Sequence, residues 1–210
     1  MDCGILIKTI VSPALGTNSY LVYEKKGGEA VIVDAGYKVA GNIGKTVQAN
    51  RLAVTTLVNT HGHFDHIEDN IELKEMFGLV IAASRKDEGF FEDPESLGFP
   101  LPFPVKPSGI DVNLDSKSAI KIGKFSFSVL ETPGHTKGSI CLYEKNAGVL
   151  FSGDTLFAGC CGRTDLKGGD EGEMRESLSR LASLPKRTVV YPGHGEPTTI
   201  GNERGWMARF

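Results

Sequence analysis

The chain has 210 residues, 40% of them apolar, with 23 Lys and Arg against 26 Asp and Glu for a formal charge of −3. The length predicts a single domain over residues 1–210; the apolar content excludes global disorder, and the near-neutral balance gives no electrostatic reason for a nucleic-acid partner. No apolar run reaches the ~18–20 residues that span a bilayer, Met1-Asp2-Cys3-Gly4 lacks the basic region of a secretory signal, and Cys3, Cys141, Cys160 and Cys161 form no C-x-x-C pair, so the expectations are no membrane partner, no disulfide framework and a cytoplasmic location.

In chain order, Ile5–Val11 and Ser19–Tyr23 read as strands, followed by a hairpin turn over Glu24–Gly28 and an apolar strand Ala30–Asp34 closed by Gly36. Val39, Ile43 and Val47 recur at helical spacing. Thr55–Asn59 reads as a strand and Ile67–Phe77 as a helix ending before Gly78. Leu79–Ala83, Phe125–Leu130, Ser139–Tyr143 and Val149–Phe151 are further strands. Met174, Leu178, Leu181 and Ala182 mark a helix that stops before Pro185, and Thr188–Tyr191 is a last short strand. This mixture of hairpins and interspersed helices predicts packed sheets with helices outside.

Phe90–Pro107 differs in composition. It holds Pro94, Pro100, Pro102, Pro104 and Pro107, half of the ten prolines, with Phe90, Phe91, Phe99 and Phe103. Proline excludes regular helix and central strand, so a stiff apolar excursion is expected. It reads either as a cover for the core or as a lid over a site.

The five histidines all follow strands. His61, His63 and His66 lie in Thr60–His66, His135 in Thr132–Ser139, and His194 in Tyr191–Gly195. Most sit beside glycine, which lets the backbone turn so that side chains converge. Asp65 lies inside the first cluster, and Asp154 follows the apolar run Gly148–Phe151. Alone, Asp154 would read as a cap or turn residue; among these histidines it reads as a metal ligand. Nitrogen and oxygen donors without thiolate suit zinc, iron or manganese.

The motifs T-H-x-H-x-D-H, T-P-G-H-T-x-G-S, G-D-T-L-F and P-G-H-G, in this order, resemble those of the metallo-β-lactamase superfamily over about Ile5 to Glu203. The resemblance implies the α/β class: an α/β/β/α sandwich of two mixed sheets flanked by helices, with metals where the strand ends gather. It implies two divalent metal ions, zinc foremost, with iron or manganese as alternatives. His61, His63 and His135 match one metal site. Asp65, His66 and His194 match the other, and Asp154 bridges both. Asp65 is also the candidate catalytic residue. Asp34 matches an aspartate that orients ligands by hydrogen bonding; the other reading is a turn residue. The family's β-lactamases usually carry cysteine at the position of Asp154, so the aspartate argues against antibiotic hydrolysis.

Within the family, Gly153–Asp165 resembles glyoxalase II, a thioesterase acting on S-acylglutathiones. Pro192–Arg204 resembles the short bacterial and archaeal glyoxalase II-like hydrolases. Two departures separate thioester chemistry from glutathione specificity. The sequence has no C-terminal helical domain of the longer enzymes, and Gly205-Trp206-Met207 stands where the short ones often continue with Asn-Pro. The implied substrate is a small-molecule thioester, attacked by a metal-bridging hydroxide formed from water whose pKa falls from 15.7 towards ~7. Cys160 and Cys161 then read as small packing residues. Arg163, nine residues past Asp154, is the candidate reader of a substrate carboxylate, because its planar fork suits one; a salt bridge to Asp165, Asp170 or Glu171 is the competing reading. The alternative branch is the persulfide dioxygenases, with a single iron on His61, His135 and Asp154. The P-G-H-G ending fits the hydrolases better. A nuclease or a binding module fits less well, since there is no basic excess and no ligand position is lost. Oligomeric state is not legible.

Overall fold

The computed structural model describes residues 4–98 and 100–210, so Cys3 and Phe99 lie outside the described residues. Two six-stranded sheets form the body. In the first, β1 (Leu6–Val11), β2 (Asn18–Tyr23), β3 (Glu29–Val33), β4 (Ala53–Val58), β5 (Val80–Ala83) and β6 (Val112–Asn113) lie side by side in that order. β1, β2 and β3 form an antiparallel meander, and β3 to β6 run parallel. The second sheet contains β7 (Ala119–Ile122), β8 (Phe125–Glu131), β9 (Ile140–Glu144), β10 (Val149–Gly153), β11 (Val189–Pro192) and β12 (Thr198–Thr199). Its one parallel pair is β10 with β11. Parallel neighbours need crossovers. α1 (Ala40–Asn50) links β3 to β4, α2 (Phe64–Ile67) and α3 (Asn70–Phe77) link β4 to β5, and α5 (Glu171–Ala182) links β10 to β11.

Side-chain alternation explains the layers, because successive strand residues face opposite ways. On β3, Ala30 and Ile32 pack towards Val39, Ile43, Val47 and Leu73 of the outer helical layer. Val31 and Val33 point inward with Phe127, Val129, Leu142 and Phe151 of the second sheet. On β10, Val149 and Phe151 join that inner core, while Leu150 packs under Met174, Leu178 and Leu181 of α5 and under Ile200 and Met207 of α6 (Ile200–Met207). Both faces of the central strands of each sheet are thus covered, as the expected α/β/β/α sandwich requires, while β7 and β8 leave one face exposed.

Several boundaries differ from the sequence reading. The helix expected over Ile67–Phe77 is two helices, parted at Asp69. The Asp69 carboxylate accepts from the amides of Val39 and Ala40, both at 2.6 Å, and so caps the start of α1. Helix does enter the proline-rich segment. α4 (Glu88–Glu92) carries Phe90 and Phe91 and ends before Pro94, and Pro94–Leu97 forms a 3-10 turn with proline at its first position. β6, β7, β12 and α6 were not foreseen. Cys160 is exposed and Cys161 half-buried, so Cys160 is not a packing residue; the described cysteines are all free thiols. No helix among the described residues is long and apolar enough to cross a membrane.

Candidate metal centre

Every strand that ends at one edge of the sandwich delivers a polar residue there. Asp34 follows β3, the His61–His66 cluster follows β4, His135 lies between β8 and β9, Asp154 follows β10 and His194 follows β11. Two hydrogen bonds between the sheets fix the convergence: Ile140 N donates to Thr60 O at 2.8 Å, and Asn18 N donates to Gly193 O at 2.7 Å. Gly193 is required by crowding, since a Cβ there would overlap the Asp154 carboxylate and the His66 ring.

All seven predicted ligands come together. His61, His63 and His135 form one group, Asp65, His66 and His194 another, and His61, His66 and Asp154 a third, each with donor atoms within 4.8 Å of one another. Asp154 lies between the first two. Its Oδ2 is 3.5 Å from His135 Nε2 and 3.6 Å from His194 Nε2, and its Oδ1 is 3.4 Å from His66 Nε2. His63 Nδ1 lies 2.8 Å from His135 Nε2, and His66 Nε2 lies 3.3 Å from His194 Nε2.

Surrounding acceptors orient the rings. A carbonyl only accepts, so His135 Nδ1–H donates to Arg163 O at 2.7 Å and turns its Nε2 lone pair inward. His66 Nδ1 donates to Asp34 Oδ2 at 3.0 Å and so turns its Nε2 inward. Asp34 also accepts from the Thr60 amide at 2.7 Å and hydroxyl at 2.8 Å. It therefore holds a ligand by hydrogen bonding, at a left-handed φ of 59° that aspartate tolerates better than most residues. Thr17 donates to Asp65 Oδ2 at 2.9 Å.

The donor set fits a cation. His61 Nε2 and Asp154 Oδ1 are buried without a hydrogen-bond partner, and lone pairs crowd one another with few protons to share. Burial holds His61 well below its usual range and His63 down to about 3, so both rings are neutral. Burial also pushes His66 down, but Asp154, Asp65 and Asp34 outweigh it and lift the ring to about 10. Burial pushes the Asp65 carboxyl up; His66, His194 and Thr17 prevail and hold it well below the usual carboxylate range. The cluster is open on the side of His194, whose side chain is 29% exposed, against 13% for Asp65 and 10% for Asp154.

Arg163 is placed differently from a free anion reader. Its fork grips Asp165, Nε to Oδ1 at 2.7 Å and Nη2 to Oδ2 at 2.8 Å, on the exposed surface. Its backbone carbonyl, not its side chain, touches the centre. Sequence reasoning missed Asp87. This carboxylate is 2% exposed and accepts from Gly62 N at 3.0 Å, Thr136 Oγ1 at 2.7 Å and Gly138 N at 2.7 Å. It ties the loop of His61 and His63 to the loop of His135. Its one signal was its place just past a strand, the setting shared by Asp34 and Asp154.

The proline-rich segment serves as both core and wall. Phe91 is fully buried in the first outer core. Phe90 packs edge-on to His63, with centroids 5.5 Å apart, and Phe103 stacks on Tyr37 at 4.2 Å and leans on Phe64.

The sequence pattern of the Metallo-beta-lactamase superfamily matches residues 12–194. The chain belongs to this superfamily. An uncharacterized protein of Aquifex aeolicus is 37% identical, over 96% of this chain and 95% of its own. The hydroxyacylglutathione hydrolase GloC of Haemophilus influenzae is 33% identical, over 94% of each chain. Among solved structures, the B3 metallo-beta-lactamase BLEG-1 is 36% identical, with a TM-score of 0.85 over 94% of this chain and 95% of that one. TTHA1623, solved in a di-iron-bound form, is 32% identical, with a TM-score of 0.82 over 93% and 96%. As a metallo-beta-lactamase superfamily protein, the chain is a metal-dependent hydrolase, and its histidine-rich clusters are the candidate sites for divalent metal.

Proposed function

We propose that this chain is a thioester hydrolase of the glyoxalase II type, acting with two divalent ions, zinc foremost. The observation that carries the reading is Asp154, whose carboxylate stands between two complete groups of nitrogen and oxygen donors. His61, His63 and His135 would hold one ion, Asp65, His66 and His194 the other, with Asp154 shared. Ions held there supply Lewis acidity and activate water at neutral pH. GloC, similar along nearly its whole length, supports thioester as the bond cleaved, and the di-iron TTHA1623 supports a two-ion centre.

The chain's own residues position the reaction. Asp65, kept ionised and fixed by Thr17, accepts a hydrogen bond from the attacking water and orients it towards the acyl carbonyl. Phe90 and Phe103 keep bulk water from the flank of His63 and Phe64. Substrate approaches through the open side at His194. No serine or cysteine is needed, and Cys160 and Cys161 take no part.

The test compares S-lactoylglutathione hydrolysis, oxygen uptake with glutathione persulfide and cleavage of a chromogenic cephalosporin, with metal analysis of the same sample. The last substrate is included because of the likeness to BLEG-1. Thioester hydrolysis with two ions per chain is expected. Oxygen uptake with one iron would establish the dioxygenase instead, and cephalosporin cleavage without thioesterase activity would also overturn the proposal.

A further inference from the structure

A cavity of about 210 Å³ lies beside the centre, lined by Lys86, Lys137 and Lys167 with Asp87, Phe90 and Gly168. The three lysines come from three separate stretches: the end of β5, the loop of His135, and the loop that leads from Asp154 to α5. Gathering like charges is unfavourable unless something compensates them. The protein compensates only one. Lys86 pairs with Glu131 at 2.8 Å. Lys137 and Lys167 pair with no carboxylate among the described residues, although the chain carries more acids than bases. Asp87 also lines the cavity but forms no ion pair with them; its oxygens accept from Gly62 N, Thr136 Oγ1 and Gly138 N.

The cavity also adjoins the reacting centre. Its aromatic wall, Phe90, has His63 against its edge, and Lys167 Nζ lies 5.8 Å from the Phe90 centroid. Lys137 is two residues past His135. Gly168 packs along the same wall, where a Cβ would stand at ordinary contact distance from Phe90 and the Lys137 backbone. The loop bearing Lys167 docks on the histidine loop through Asp170 N to Gly134 O at 2.9 Å. The Phe90 ring therefore lies between the Lys167 ammonium and the candidate metal ligand His63.

We propose that this cavity is a subsite for the anionic end of the substrate, binding a group or pair of groups that bears two negative charges. The proposal rests on the thioesterase reading and adds a requirement for an anionic thiol moiety. Two free lysines match either a phosphate monoester or two carboxylates. Ammonium groups act as point charges that suit both, whereas the planar fork best suited to a single carboxylate, Arg163, is already occupied by Asp165.

Two measurements test this on the metal-loaded protein and on a Lys137→Ala/Lys167→Ala double variant, with Lys45→Ala as a surface control. The first is hydrolysis of three acetyl thioesters: of N-acetylcysteamine (neutral), of glutathione (carboxylates) and of 4′-phosphopantetheine (phosphate). The second is calorimetric binding of S-methylglutathione and 4′-phosphopantetheine, which needs no turnover. In the double variant, KM for an anionic thioester is expected to rise about tenfold, with kcat and the neutral thioester unaffected. The wild-type advantage should shrink with added salt. The anionic substrate that loses more in the variant identifies the natural charge carrier. If anionic and neutral thioesters are cleaved with equal KM and the variant changes neither, the subsite is wrong while the thioesterase reading stands. If no thioester is cleaved yet an anionic thiol binds the wild type and not the variant, the subsite stands and the thioesterase reading falls. Equal weakening by Lys45→Ala would reduce the effect to general surface charge and overturn the subsite.

Discussion

At the scale of single residues, the centre depends on groups that touch no metal. Asp87 satisfies two buried backbone amides, together with the Thr136 hydroxyl, which also lies 2.8 Å from Ser139 Oγ. Asp87→Ala strands these donors, so it is expected to cost about 3 kcal/mol in denaturant titration and to lower metal content by loosening the His135 loop. Asp87→Asn, which keeps one acceptor, should fall between. Unchanged stability with full metal content would show that the two loops hold together without it. His66 makes a second prediction. In metal-free protein its ring is protonated at neutral pH, because its value is raised to about 10. A cation must displace that proton and also the one on His194, whose ring burial pushes down but Asp65 and Asp154 lift further, so affinity at the Asp65, His66 and His194 group should gain at least about tenfold per pH unit between pH 6 and 8. The rings of His61 and His63 are already neutral, and their group should show a weaker dependence. Zinc competition against a chromophoric chelator at three pH values separates the two slopes; equal slopes would contradict the assignment.

At the scale of elements, legibility followed hydrophobic pattern and length. Strands such as β3 and β10 were visible because both faces are buried and the run is continuously apolar. β6 and β12, at two residues each, carry too little pattern to read. α6 was missed because its buried stripe, Ile200, Glu203 and Met207, carries a carboxylate in the middle, and Gly201 and Gly205 on the exposed side lower helix propensity; it is anchored by Glu203. That carboxylate accepts from Thr198 Oγ1 at 2.5 Å, Trp206 Nε1 at 2.6 Å and Gly159 N at 2.7 Å, joining the last helix to the loop beyond Asp154. Burial pushes the Glu203 carboxyl up, but these three donors outweigh it and leave it below its usual value. A depressed carboxyl stabilises the fold above the unfolded value and stops doing so as pH falls through the folded one. Glu203→Gln should therefore cost about 1 kcal/mol at pH 7, and the two stability curves should converge as pH falls below the ordinary glutamate range. Curves that stay parallel into acid would show that charge is not what matters there. The proline-rich segment divides in the same way. Phe91→Ala should cost about 3–5 kcal/mol, as a buried aromatic does, whereas Phe103→Ala should raise KM for bulky thioesters with a much smaller loss of stability.

At the scale of the whole molecule, the site exists because two sheets end at one edge. The seven donors were legible because ligand chemistry restricts residue type and because glycine marks the turns that bring them together. Their supports were less legible: Asp87 acts chiefly through the backbone amides of Gly62 and Gly138, which any sequence supplies, and Glu203 through a hydroxyl, an indole and an amide that only the fold brings together. For Arg163 the sequence left a substrate carboxylate and a salt bridge to Asp165, Asp170 or Glu171 as competing readings; the structure pairs its fork with Asp165 and turns its carbonyl to His135. The centre spans both sheets, with Asp34, His61, His63, Asp65 and His66 following strands of the first and His135, Asp154 and His194 following strands of the second. Metal loading should therefore stabilise the packing of one sheet on the other and raise the melting temperature of the whole fold. The most direct test of the central claim is the rate of S-lactoylglutathione hydrolysis as zinc is titrated into metal-stripped protein. The account predicts a rate that climbs to full activity at two equivalents per chain, and almost none at any zinc concentration in Asp154→Ala. Saturation at one equivalent, restoration by iron alone, or activity surviving in Asp154→Ala would contradict it.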